Sequence, residues 1–207
     1  MKKIIVCVLA VFGLALWADA GIRIGLMGGY ASMSEYGGGI AYGGTIGIDL
    51  MKYVAVEIKG TRFQGGTYAG SADGLSQGVM TRMPIEFHIQ GRFPLMNGKL
   101  IPYLTVGGGF GLNSFEVDPE LVSSWSDLGM TISEKVENKI FIPAIGLGLD
   151  FAIMPNFVVN LEGRYLMGKT DGSWSLIDND SSLEATGTLA DLNLSTIVFG
   201  LGFKFQF

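Results

Sequence analysis

Read back from its last residue in steps of two, the chain gives Phe207, Phe205, Phe203, Leu201, Phe199 and Ile197. Between them lie Gln206, Lys204, Gly202, Gly200, Val198 and Thr196. A period of two belongs to a β-strand, so this segment predicts a strand with one large apolar face and one small or polar face. The same alternation recurs and predicts strands near 21–31, 40–50, 53–63, 79–91, 102–112, 140–151, 157–167 and 195–207. One parity carries bulky apolar residues such as Leu26, Ile46, Ile58, Phe87, Val106, Leu147 and Leu161, and no charge within the strand cores. The other parity carries Arg23, Asp49, Glu57, Lys59, Arg82, Glu86, His88, Asp150, Glu162, Arg164 and Lys204, together with most of the strand glycines.

Volume decides which face points inward. The interior of an eight-stranded barrel is just wide enough to be filled by side chains. Dozens of large apolar groups do not fit there while glycines look outward, so the charged, glycine-rich face is the interior. The apolar face then meets lipid, as in an outer-membrane barrel and unlike a soluble one. Lipid also explains why the sheet closes, because an open edge would leave backbone groups without partners. The fold expected is all-β: an eight-stranded antiparallel up-and-down transmembrane β-barrel. Its connections alternate in length. Met51-Lys52, Asn97-Gly98 and Met154-Pro155-Asn156 make tight turns, with longer polar segments at 32–39, 64–78, 113–137 and 168–192. Short turns face the periplasm and long loops the exterior, which puts both termini in the periplasm. Pro84 and Pro143 fall inside predicted strands and each removes a ladder donor, so a bulge or local mispairing is expected at each.

The first twenty residues stand apart. Met1-Lys2-Lys3 is basic, Ile4 to Trp17 is an apolar run too short to span, and Ala18-Asp19-Ala20 fits a cleavage site. Residues 1–20 therefore read as a signal peptide and 21–207 as one outer-membrane barrel domain. The only cysteine, Cys7, leaves with the signal, so no disulfide is expected in the mature chain. Losing Lys2, Lys3 and Asp19 moves the formal charge from -5 to about -6, which argues against nucleic acid as a partner.

The interior charges balance, with Asp49, Glu57, Glu86, Asp150 and Glu162 against Arg23, Lys59, Arg82, Arg164 and Lys204. Balanced charge in a narrow lumen implies a cross-linked plug rather than an ion-selective pore, with Arg82 expected to pair with Glu57 or Glu86. Gly146 faces this lumen, and a serine is expected to be tolerated there. Other motifs yield little chemistry. "DNDSSLE" (178–184) opens like a calcium loop but has Leu183 where the turn glycine belongs, so it reads as a solvated acidic loop. The run Gly107-Gly108-Gly109 lies mid-strand with no following helix and reads as barrel packing. In "DPELVSSW" (118–125), Asp118 as N-cap and Pro119 at the first helical position predict a short helix, with Leu121 and Trp125 available to pack on the rim. No cofactor or metal site is expected.

A terminal phenylalanine behind alternating aromatics, here Phe199, Leu201, Phe203, Phe205 and Phe207, resembles the assembly signal that the bacterial barrel-assembly machinery reads. With "IPYLTVGGGFG" (101–111) and "IGLGLDFAIMPNFVVNLEGRYL" (145–166), the chain resembles the small eight-stranded outer-membrane barrels of the OmpA transmembrane-domain, OmpX and OmpW type. That resemblance implies the bacterial outer membrane as location, and lipids and lipopolysaccharide as neighbours. It implies a non-enzymatic structural or surface-interaction role, the external partner being open. The alternative is an OmpW-like narrow pore for small or hydrophobic solutes. A third reading is lipid A modification, as in PagL and PagP. Against it, the only histidine, His88, lies toward the periplasmic end, and His88-Ile89-Gln90 stands where the deacylase has histidine-x-serine.

Overall fold

The computed structural model describes residues 21–68, 78–137 and 139–207. The expected signal segment and part of the second external loop lie outside the described residues. In chain order the elements are β1 (Ile22–Met33), β2 (Gly37–Met51), β3 (Val54–Tyr68), β4 (Gly78–Arg92), β5 (Leu100–Val117), α1 (Pro119–Asp127), β6 (Met130–Val136), β7 (Lys139–Met154), β8 (Phe157–Leu166), β9 (Lys169–Asp178), β10 (Glu184–Asn193) and β11 (Thr196–Gln206). Eight of these strands close a ring in the order β1-β2-β3-β4-β5-β7-β8-β11, every neighbour antiparallel. The last strand seals the ring against the first without a break, from Arg23 opposite Gln206 to Met33 opposite Thr196.

The pleat sends the two parities to opposite sides. Leu26 is 72% exposed and Leu147 64%, whereas Arg82, His88 and Asp150 are fully buried. Charges on the outward parity stand toward the external ends of the strands: Arg62 on β3, Glu116 on β5 and Lys139 on β7. Inward glycines let the strands approach where a side chain would not fit. A Cβ on Gly109 would lie 1.9 Å from the carbonyl oxygen of Ile85. At Gly146 a Cβ would lie 2.7 Å from the Gly163 carbonyl oxygen and 2.8 Å from Arg164 Cγ, so the serine expected to fit there does not.

Neither proline makes a bulge. Pro84 stands opposite Gly111 in an unbroken β4–β5 ladder, and on its other side the β3–β4 ladder is interrupted between Gly60–Ile85 and Phe63–Arg82 without losing register. Pro143 lies just past the end of the β7–β8 ladder, and its carbonyl accepts from Met167 N–H at 2.9 Å. In both places the missing donor falls where no rung is made.

The external side is more ordered than its polar sequence suggests. β6, β9 and β10 form a separate sheet in the order β10-β9-β6, within segments expected to be loops. Their Ser, Thr and Gly content hides them, since Ser173, Ser175, Thr186 and Thr188 give no apolar face. The helix forms as expected, and Asp118 accepts from Glu120 N–H at 2.8 Å. None of its residues is fully buried, but Leu121 and Trp125 are its two half-buried positions, and the element it packs against is β6 of the external sheet. The acidic stretch after β9 is an exposed turn in which Asp178 accepts from the Asp180 N–H at 3.0 Å and from Ser181.

The lumen has two storeys. The half nearer the tight turns holds the charges. Toward the external mouth the same inward face becomes apolar: Met33, Tyr36, Phe63, Met80, Phe115, Ile140, Ile142 and Leu166 pack with Leu192 at the end of β10 and Leu194 in the β10–β11 connection.

Candidate functional site

Each inward charge in the lower storey is fixed by its strand parity and meets partners on distant strands. Arg23 on β1 reaches Asp49 at 2.9 Å, Asp150 at 3.3 Å and Glu57 at 3.7 Å. Lys204 on β11 bonds Glu57 at 3.0 Å and Asp150 at 3.3 Å. Lys59 pairs with Glu57 at 3.1 Å and, across the lumen, with Glu162. The Lys59–Glu162 bridge joins β3 to β8, four steps apart in a ring of eight, and so spans the full diameter. Arg164 pairs with Glu162 at 2.8 Å and with Glu86 on β4. His88 sits between Glu86 at 2.9 Å and the Thr105 hydroxyl at 3.1 Å, fully enclosed.

Nine of the ten charges singled out from the sequence thus share one ion-pair network. Arg82 is brought into the lumen but not into that network. Its Nη1 donates to the Leu194 carbonyl oxygen and, at 3.2 Å, to the Thr196 hydroxyl, and no carboxylate among the described residues forms an ion pair with it. The expected pairing with Glu57 or Glu86 is corrected accordingly: Arg164 and His88 occupy Glu86, while Lys59, Lys204, Arg23 and Gln90 occupy Glu57.

Several members went unnoticed in the sequence. Arg92 bonds Asp49 at 2.7 Å and approaches Asp150 at 3.6 Å, adding a sixth luminal cation. It has the inward parity of Arg82 and Glu86, and extending β4 by one residue would have found it. Tyr103 donates to Glu162, and Asn160 donates to Asp150 at 2.7 Å and to the Tyr103 hydroxyl at 2.9 Å. Tyr103 shares parity with the inward Gly107, Gly109 and Gly111, and Asn160 with Glu162 and Arg164. Among the described residues no group of His, Cys, Asp and Glu has the makings of a metal site.

On the outer surface, Phe199, Leu201, Phe203, Phe205 and Phe207 all point away from the lumen. Phe157 on β8 stacks on Phe203 at 5.7 Å and tilts against Phe205 at 5.2 Å, forming an aromatic belt at the periplasmic end.

Residues 4–207 match the family model described as "Outer membrane protein beta-barrel domain". The chain belongs to that family. As an outer membrane protein beta-barrel, it resides in the bacterial outer membrane. Its architecture resembles OprG from Pseudomonas aeruginosa, with a TM-score of 0.60 and 17% identity over 88% of this chain and 95% of that one. Neisserial surface protein A gives 0.56 and 14%, covering 92% and 98%. A major outer membrane protein from Thermus thermophilus gives 0.57 and 11%, covering 91% and 99%. At these identities the likeness is one of fold. No curated protein matches the chain in sequence.

Proposed function

We propose that this barrel is a non-enzymatic component of the envelope, with a structural or surface-interaction role carried by its external strands. The observation behind this reading is the bridging of the lower lumen by ion pairs between distant strands, including Lys59 to Glu162 across the full diameter. Such cross-links suit a stiff, closed scaffold. The external sheet of β6, β9 and β10 is then the part offered to the surroundings, and recognition is commonly placed on loops held by a rigid scaffold. Residues 1–20 serve as a signal peptide in this reading. Phe207 and the alternating aromatics before it are read by the barrel-assembly machinery, and the apolar belt contacts outer-membrane lipid and lipopolysaccharide.

Two assays on the same preparation test this. Proteoliposomes holding the refolded barrel should swell no faster in small sugars or amino acids than empty liposomes. Lipid A from expressing cells should have the acyl pattern of cells without the protein. Solute-dependent swelling would favour the narrow pore, and a changed acyl pattern would favour lipid modification. Either result removes the proposed role.

A further inference from the structure

Arg82 stands at the border between the two storeys and belongs to neither. Every other basic side chain in the lower lumen has a carboxylate within 4.0 Å, while Arg82, fully buried, has neutral acceptors only among the described residues. Its Nε and Nη2 donate to no oxygen of those residues. The guanidinium lies against aliphatic groups. A Cβ placed on Gly111 would meet both Arg82 Nε and Ile142 Cδ1, and one on Gly168 would meet both Arg82 Nη2 and Ile140 Cδ1. Glu86, whose charge reaches it, is already held by Arg164 and His88.

A lone cation at the floor of a packed apolar storey is the complement of a molecule with one anionic head and an apolar body. The chain itself supplies an imitation of that molecule. Leu194 presents its carbonyl oxygen to Arg82 while its side chain is enclosed by the apolar cluster of the upper storey. It lies in the connection between external strand β10 and barrel strand β11, and its own N–H donates to Gly168 at 2.9 Å. We propose that the upper storey is a binding site for an amphipathic monocarboxylate, with Arg82 as its anchor and Leu194 as an internal surrogate that the ligand displaces. A carboxylate accepts two charge-assisted hydrogen bonds from a guanidinium fork, whereas a neutral carbonyl accepts weaker ones, so the exchange favours the ligand. The β10–β11 connection lifts as Leu194 leaves, which opens the site toward the exterior. The charged storey beneath stays closed, so this is a receptor site rather than a conduit, and it does not depend on the surface role proposed above.

The test uses refolded, isotopically labelled barrel in detergent micelles, observed by NMR at the Leu194 amide and the Arg82 Nε–H. Titration with decanoate should move both signals saturably. Decanol and decylamine, which enter the micelle but lack the carboxylate, should not. Arg82→Leu should weaken decanoate binding by about tenfold or more, the loss of a charge-assisted contact. Should that variant fail to fold, Arg82→Lys keeps the charge without the fork and should also bind more weakly. Leu194→Ala, which weakens the surrogate, should bind more tightly. An unresponsive Leu194 amide, equal responses to decanoate and decanol, undiminished binding in the folded Arg82 variants, or weaker binding by Leu194→Ala would each overturn the proposal.

Discussion

The two storeys of the lumen use the same face of the same strands but are held by different forces. In the lower storey, Glu57, Lys59, Glu86, Asp150, Glu162 and Arg164 are buried and paired. Further up the same inward face, the positions are Phe63, Met80, Phe115, Ile142 and Leu166. The charges hold one another by geometry, so each depends on the presence of its partner. The apolar side chains hold one another by volume, so each depends on being filled. A barrel wall therefore does not dictate one kind of interior. It sets parity, and the residue chosen at each level decides whether the cross-section is closed by charge or by packing.

The largest expected effect separates the storeys by chemistry at nearly constant shape. Glu57→Gln removes a charge facing Arg23, Lys59 and Lys204 and should cost about 3–5 kcal/mol in urea unfolding from micelles. In the upper storey, Leu166→Met keeps volume and should cost below about 1.5 kcal/mol, while Leu166→Ala should cost about 2–5 kcal/mol. If both isosteric changes cost the same, the distinction between charge and packing fails. Leu147→Arg leaves both storeys intact and places a cation on the lipid face. If Leu147 sits at the bilayer midplane, it should cost about 2–4 kcal/mol in lipid.

Smaller effects belong to the external surface. The exposed pair Lys169–Asp191, at 3.2 Å, should lose no more than about 1 kcal/mol in Lys169→Ala and weaken further with salt. The buried pairs should be far less sensitive to salt. The smallest effect is at Asp178. Hydrogen bonds from the Ser181 side chain and from the backbone at Asp180 and Ser181 hold its carboxyl below the usual range. A carboxyl with a depressed folded pKa stabilises above its unfolded pKa, and that contribution is lost as pH falls through the folded value. The β9–β10 turn should therefore loosen on acidification, seen as faster amide exchange at Asp180 and Ser181, and Asp178→Asn should abolish the pH dependence.

The strands that alternate strongly, such as β1, β7 and β11, are legible because every second residue is bulky and the intervening ones are small or charged. The upper storey is not, for a physical reason. Where Arg164 gives way to Leu166 both faces become apolar, and where Lys59 gives way to Phe63 the polarity reverses, with Arg62 and Gln64 outside, so the alternation that marks a strand fades. Several strands consequently read as shorter than they are. Partner choice was equally hidden, because parity shows that Arg82 points inward but only register and tilt bring it to Leu194 and Thr196 rather than to a carboxylate. The external sheet escaped notice because its hydroxyl-rich strands are defined by their pairing and not by a buried stripe.

Single-channel recording in planar bilayers tests most directly whether the lumen is closed at two levels by different means. The refolded wild-type barrel should show no steady conductance. Lys59→Ala/Glu162→Ala, which removes the bridge across the diameter, should stay closed through its apolar storey. Adding Phe63→Ala and Met80→Ala should open it. A large, steady, ion-selective conductance in the unmutated protein would mean that the charges line an open channel, and would contradict the closed, two-storeyed lumen.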